Sequence, residues 1–348
     1  MKQNNWIPRK DSPGKRAVLL TGGAGFIGSH TYVALKQAGY EVIIVDNFSN
    51  ALEDTPERLQ QLTGSKVICY ADDLLDRSAI RRIFDNHPID AVIHFAAKKS
   101  VAESTTAPLV YYENNVSGLI GLLEEMRRAS VFNLVFSSSA TVYGSPETLP
   151  VRENAALSST NPYGFTKLVC ENVLSDLQKF DPRWNVGILR YFNPVGAHSS
   201  GLIGESTTGI PDNLMPYIAK VATGELPFLR VFGADYDTLD GTGVRDYIHV
   251  MDLAEGHVLS LEELLDGAGS HIVNLGTGRG YSVLEMLKSY ETACGRTLPY
   301  QVMPRRPGDV GEVVADPANA NALLGFEAKR DLDHMSKTSW NWMLQRMD

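Results

Sequence analysis

Apolar runs rich in valine and isoleucine recur along the chain at Ala17 to Leu20, Val42 to Val45, Val67 to Tyr70, Ala91 to Phe95, Leu134 to Phe136 and Val186 to Leu189. Between them, Ile27 to Ala38, Ile80 to Phe84, Leu119 to Met126 and Leu168 to Leu177 carry apolar residues at helical spacing. Continuous apolar strands alternating with helices predict a parallel sheet buried on both faces. The expected fold class is α/β, a doubly wound parallel Rossmann sheet followed by a smaller, mixed α/β C-terminal domain. After Asn193 the pattern changes, with Gly, Pro, Asp and Thr dense as far as Gly243. A run at His271 to Leu275 is placed to return to the main sheet, and Leu332, Met335, Ser339, Trp342 and Met343 share one face of a last helix.

Composition narrows the classes of function. The 348 residues hold 32 Lys and Arg against 41 Asp and Glu, a formal net charge of −9. Without a basic block, nucleic acid and anionic membranes are not expected partners, so any anion must be met locally. Cys69, Cys170 and Cys294 lie far apart and form no metal-ligand spacing, which reads as reduced core thiols and no metal site. No apolar run reaches the roughly 18 residues of a membrane span. The expectation is a soluble, cytoplasmic protein whose residues 1–15 form a flexible N-terminal extension.

The first strand runs into Thr21-Gly22-Gly23-Ala24-Gly25-Phe26-Ile27-Gly28, which satisfies GxGxxG from Gly23 and GxxGxxG from Gly22. Gly22, Gly25 and Gly28 permit a tight turn, approach of a pyrophosphate to bare N–H groups, and close packing of the following helix, and Phe26 and Ile27 in the same segment are candidate cofactor contacts. The second strand ends at Asp46, 18 residues after Gly28, followed by Asn47. A carboxylate there accepts from an adenosine ribose diol and repels a 2′-phosphate, which favours NAD over NADP. Asp73 and Leu74, just after the third strand, are candidates for flanking the adenine.

Ser137, Ser138 and Ser139 follow the Leu134 to Phe136 run, where a Rossmann sheet presents its ligands. Thr160-Asn161-Pro162 reads as a helix start and places Tyr163 and Lys167 one turn apart on the same face. A tyrosine acting as a phenolate near pH 7 needs its pKa lowered by about three units, roughly 4 kcal/mol. A neighbouring ammonium and a cationic nicotinamide both act in that direction.

These segments resemble the extended short-chain dehydrogenase/reductase family. TGGAGFIG, SSSATVYG and NPYGFTK carry that likeness, while HFAAKKSVAES, YYENNVSG, LRYFNPVGAH, GIPDNLMPYI, DGTGVRDYIHVMDLAEGH and RRPGD are similar to its UDP-glucose 4-epimerase branch. The likeness spans nearly all the chain from Arg16 onward. It implies an NAD-binding Rossmann domain over 16–192 and a UDP-sugar-binding domain over 193–348, with segments near 243–275 returning to the main sheet.

By the same resemblance, Tyr163 is the acid/base at the sugar O4, Ser139 bonds that oxygen or relays its proton, and Lys167 holds the nicotinamide ribose and lowers the tyrosine pKa. Lys99 corresponds to a lysine near the cofactor phosphates, and Asn115 lies in a cofactor-side loop. Asn193, Asn213, Leu214, Arg245, Arg306 and Asp309 match UDP-binding positions, where two arginines offset a diphosphate and a carboxylate accepts from ribose hydroxyls. His94 reads as a structural histidine.

The implied reaction interconverts UDP-glucose and UDP-galactose by oxidation at C4, rotation of the 4-keto sugar and re-reduction. Family members pair through two helices, here near Asn115 to Arg128 and Tyr163 to Lys179, so a homodimer is expected. Val313 stands where strictly glucose/galactose members carry a bulky aromatic, which leaves UDP-N-acetylglucosamine open as a substrate. A 4,6-dehydratase is disfavoured because Ala140-Thr141, not an acidic pair, follows Ser139. A non-catalytic NAD or nucleotide-sugar sensor stays open as a reading from a different class.

Overall fold

The computed structural model describes residues 16–207, 209–306 and 308–347, so the N-terminal extension lies outside the described residues. Six strands follow the apolar runs: β1 (Ala17–Thr21), β2 (Glu41–Val45), β3 (Ile68–Tyr70), β4 (Ile89–His94), β5 (Asn133–Ser139) and β6 (Asn185–Tyr191). A seventh, His271–Leu275, lies beside β6, and the sheet order is His271–Leu275, β6, β5, β4, β1, β2, β3, all parallel. The order reverses between β1 and β4, the place where open α/β sheets bind ligands.

Side-chain alternation divides the sheet into two cores. Val18, Leu20, Val42, Ile44, Ala91 and Ile93 pack with Tyr32 to Leu35 of the helix Phe26–Gln37 and with Leu253 to Leu264 of the helix Val250–Leu265. Ala17, Leu19, Ile43, Val45, Val92 and Phe136 face the other way, onto the helices Arg77–Asn86, Gly118–Arg128 and Pro162–Phe180. Burying a leucine such as Leu19 or Leu20 completely contributes about 1.5–3 kcal/mol.

Two expectations change in the structure. The serines do not follow a strand that ends at Phe136; they are its last three residues, paired one by one as Ser137 with Leu189, Ser138 with Arg190 and Ser139 with Tyr191. Of the three cysteines, all free thiols, only Cys170 is a core residue, whereas Cys69 and Cys294 are partly exposed at cluster edges.

Beyond β6 a third apolar cluster forms around Met215, Ile218, Leu229, Tyr247, Met286, Tyr290 and Met335. It is crossed by a four-stranded sheet of Val244–His249 with Gly280–Ser282, Glu312–Val313 and Asn193–Val195, and by the parallel pair Leu229–Phe232 and Tyr300–Met303. The last helix, Leu332–Leu344, buries Met335, Ser339 and Trp342 as its spacing predicts. Among the described residues, no helix is long and apolar enough to cross a membrane.

Candidate active site

The glycine turn is shaped by contacts that exclude side chains. Gly22 adopts φ +69°, and a Cβ there would stand 2.7 Å from the Ala96 nitrogen. At Gly28 a Cβ would stand 2.4 Å from the Gly22 carbonyl oxygen, so the helix reaches the strand only because both residues are bare. The helix Phe26–Gln37 starts from Gly25 with no side-chain cap, leaving its first N–H groups available to an anion. This is the donor set a dinucleotide pyrophosphate requires, and the residues present fit NAD.

Asp46 emerges from β2 almost fully buried, and its carboxylate has backbone partners of its own. Oδ2 accepts from the Ala24 N–H at 3.0 Å and Oδ1 from the Phe48 N–H at 2.9 Å, so Asp46 also braces the glycine turn. Burial pushes its pKa up while these N–H groups pull it down. Nearby, Asn47 donates to Asp73 at 2.8 Å, and Leu74 is buried against Gly118.

Asn115 lies in a π-helical turn, Tyr112–Ser117, and is buried with its amide fully engaged. It accepts from the Lys98 N–H at 2.8 Å and donates to the Lys98 carbonyl and Thr166 Oγ1, both at 3.0 Å. The side chain thus clamps the loop that carries Lys99 to the Pro162–Phe180 helix. Lys99 itself reaches Glu205 at 3.2 Å, and Asn213 donates to the same Glu205 oxygen at 3.1 Å. Glu205 therefore joins a candidate cofactor residue to a candidate substrate residue, and no motif in the sequence singles it out.

The Pro162–Phe180 helix begins as read, with Asn161 capping the Gly164 N–H at 2.9 Å and Pro162 in its first turn. Tyr163 and Lys167 both point inward to the end of β5 and are buried. The Lys167 ammonium donates to the Ser137 carbonyl at 2.7 Å and lies 5.0 Å over the Phe136 ring. Burial raises the Tyr163 pKa, and the neighbouring Ser139 hydroxyl opposes the rise. Ser139 Oγ in turn accepts from the Thr141 N–H at 3.2 Å and Thr141 Oγ1 at 3.0 Å, which leaves its own proton for the phenol oxygen. His94 is a core histidine, bonded to Thr21 Oγ1 at 2.7 Å and held neutral by burial, which lowers it to about 3.

Asn193, Arg245 and Val313 converge on the small sheet, where Val313 pairs with Arg245 in register and leans on the apolar cluster of Val142, Val151 and Phe192. Arg245 donates to the carbonyls of Val244 at 2.8 Å and Val310 at 3.0 Å, tethering the loop that leads from Arg306 and Asp309. Those two form an exposed ion pair at 2.8 Å. Leu214 opens the helix Leu214–Thr223 directly after Asn213.

Residues 19–339 match a family model described as GDP-mannose 4,6 dehydratase. The chain is 55% identical over 326 residues to the UDP-glucose 4-epimerase of Bacillus subtilis, covering 94% of this chain and 96% of that one. A UDP-glucose-4-epimerase structure from Stenotrophomonas maltophila, with bound NAD and formylated UDP-arabinopyranose, superposes with a TM-score of 0.94 at 49% identity, covering 96% of this chain and all of that one. The Bifidobacterium longum UDP-glucose 4-epimerase in complex with NAD+ and UDP gives 0.90 at 50% identity, covering 95% and 99%. With the glycine turn, the serine strand and the Tyr163–Lys167 helix assembled as this fold requires, the chain belongs to the family that the dehydratase model describes and, within it, to the UDP-glucose 4-epimerases.

Proposed function

We propose that the chain interconverts UDP-glucose and UDP-galactose by inverting C4 with NAD as its cofactor. The observation that carries this is the convergence of Ser139, Tyr163 and Lys167 at the carboxyl end of β5, two strands from the glycine turn that follows β1. In this reading the glycine turn, Phe26, Ile27, Asp46, Asn47, Asp73, Leu74 and Lys99 hold the dinucleotide, and Asn115 holds the Lys99 loop. NAD supplies reversible hydride exchange at C4 and, when oxidised, a positive charge that favours phenolate over phenol.

Tyr163 takes the O4 proton and returns it, and Ser139 donates to the phenol oxygen or to O4. Lys167, fixed by the Ser137 carbonyl, presents its ammonium to the cofactor ribose and the phenol. Asn193, Asn213, Leu214, Arg245, Arg306 and Asp309 bind the UDP portion. Their charged groups concentrate binding on the nucleotide, which leaves the hexose free to turn over between the two C4 transfers.

On this reading the chain divides at 192/193 into a cofactor half and a substrate half, with Val250–Leu265 and His271–Leu275 returning to the cofactor half. We assign it to the cytoplasm, where free Cys69, Cys170 and Cys294 stay reduced. We also propose a homodimer paired through the helical segments 108–128 and 162–180. Leu109, Val110, Ile120 and Phe165 are exposed there, and the Tyr112 and Phe165 rings meet edge-on at 6.4 Å. Sedimentation showing only monomers would refute the pairing.

The deciding experiment incubates purified protein with UDP-galactose, without added NAD, and resolves the products by chromatography. UDP-glucose is the expected product and shows a retained cofactor. No conversion, persisting after NAD is supplied, rejects the epimerase reading.

A further inference from the structure

Glu171 and Arg190 have no task in the reaction described above, yet they form the most deeply buried ion pair among the described residues. The contact is bidentate: Arg190 Nε donates to Glu171 Oε1 at 3.0 Å and Nη2 to Oε2 at 2.6 Å. Arg190 Nη1 donates to the Tyr143 hydroxyl at 3.0 Å and the Glu153 carbonyl at 2.9 Å, and the Tyr143 hydroxyl donates to Asn274 Oδ1 at 2.6 Å. Ser138 Oγ completes the set by donating to Glu171. β5 and β6 are thus tied to this one carboxylate directly, and Tyr143, Glu153 and Asn274 through Arg190.

Helical spacing explains why that matters to the site. Tyr163, Lys167 and Glu171 follow one another at intervals of four and form one stripe of the Pro162–Phe180 helix. The stripe faces three consecutive residues of β5: Lys167 bonds the Ser137 carbonyl, Glu171 accepts from the Ser138 hydroxyl, and Tyr163 lies near Ser139. Arg190 is the register partner of Ser138 on β6, so the guanidinium approaches Glu171 from the sheet itself. A bidentate pair fixes both distance and orientation.

Burying charge is a poor way to add stability, since apolar replacements of such pairs are often as stable. Charge itself is what Glu171 offers Lys167. The groups facing that lysine are Phe136 and Ser137 of β5, His94 of β4, and Tyr163, Cys170 and Glu171 of its own helix. His94 is neutral, and burial pushes the Tyr163 phenol and the Cys170 thiol upward, the thiol to about 12. Burial lowers Lys167 to about 8, and Cys170 and Glu171 act against it. Glu171 is the acidic side chain among these, one helical turn from Lys167 and held in place by the Arg190 fork.

We propose that Glu171, oriented by Arg190, is a positioning residue for the epimerisation: it sets the register of the Tyr163–Lys167 helix against the serine strand and places a carboxyl group one turn from the Lys167 amine. The inference rests on the epimerase reading above.

Its test is the pH dependence of kcat and KM for UDP-galactose in wild type, Glu171→Gln and the double variant Glu171→Gln/Arg190→Met. The double variant leaves no unpaired guanidinium and carries the test where the single one does not fold. We expect kcat at neutral pH to fall by about tenfold or more, KM to change little, and the alkaline limb of kcat to move to lower pH, because Lys167 then loses its proton more easily. A folded double variant with wild-type kcat overturns the inference, as does a loss of kcat with an unmoved alkaline limb, which makes the pair a scaffold only. Wild-type protein without turnover overturns the epimerase reading and this inference together; wild-type turnover with unaltered variants overturns the inference alone.

Discussion

Lys167 donates to the Ser137 carbonyl at 2.7 Å, a contact between two groups that are both shut away from solvent. The strand thus presents one serine's backbone to the lysine and the next-but-one serine's hydroxyl to the tyrosine. In the proposed reaction, a cation held in place in this way favours phenolate over phenol at Tyr163.

Replacing that cation by an apolar side chain of similar length, Lys167→Met, should therefore raise the Tyr163 pKa further. The base would ionise only at higher pH, so the acidic limb of the kcat profile should move upward. An acidic limb at its wild-type position would remove Lys167 from the control of the phenol.

Tyr163→Phe deletes a single oxygen from a buried ring and leaves the packing intact. Turnover should fall by roughly 10²–10⁴-fold, the usual worth of a positioned general base, with unchanged circular dichroism and unchanged cofactor absorbance. Turnover close to wild type would dismiss the tyrosine assignment.

Asp46→Ala removes the ribose acceptor and, with it, the brace on the Ala24 and Phe48 N–H groups. NAD affinity measured by calorimetry should weaken by about 1.5–3 kcal/mol, the worth of hydrogen bonds to a charged group, and NADP should gain relative to NAD. Some loss of thermal stability should accompany it, because two backbone donors of the turn lose their partner. Unaltered cofactor preference would take Asp46 out of the binding site.

Val313 is half-buried, pairs with Arg245 and is smaller than tyrosine. Wild type should accept UDP-N-acetylglucosamine beside UDP-glucose, and Val313→Tyr should suppress the N-acetylated substrate while sparing the other. Equal activity of the variant on both sugars would show that position 313 is no gate.

Folding stability should fall as the solution is acidified below about pH 6.5. His30, His94 and His257 are fully buried, and burial lowers their pKa values to about 3, 3 and 4 from 6.5. The unfolded chain then binds protons that the folded one refuses, so stability is complete above 6.5 and is lost as pH drops toward the folded values. Each such imidazole costs about 1.4 kcal/mol per pH unit within that window. Calorimetric Tm values at pH 7.5 and pH 5.5 check this, and equal Tm at both would contradict it.

Much of this protein is legible in its sequence, and most of those parts share one property. The individual strands, the glycine turn and the Asn161 cap each depend on residues within a few positions of one another, through side-chain period, permitted φ or a local hydrogen bond. Tyr163 and Lys167 belong to the same group, since four residues on a helix place two side chains on one face. The return of His271–Leu275 to the sheet was legible from its apolar run, although its partner β6 lies far back in the chain.

What the tertiary structure decided is which polar groups meet across long stretches of sequence. Hydroxyl side chains give no periodic signal, so only pairing with β6 shows that the three serines continue β5. Continuing the stripe of Tyr163 and Lys167 by four residues reaches Glu171, but only the fold brings Arg190 to it. The family resemblance places Asn115 in a loop; the fold puts it in a helical turn and spends its amide on Lys98 and Thr166, which makes it a clamp. Lys99 and Asn213 meet at Glu205, 106 residues beyond Lys99, for the same reason. A buried polar group must find a partner wherever the chain has placed one, and that choice is made by the packed whole rather than by neighbours in sequence.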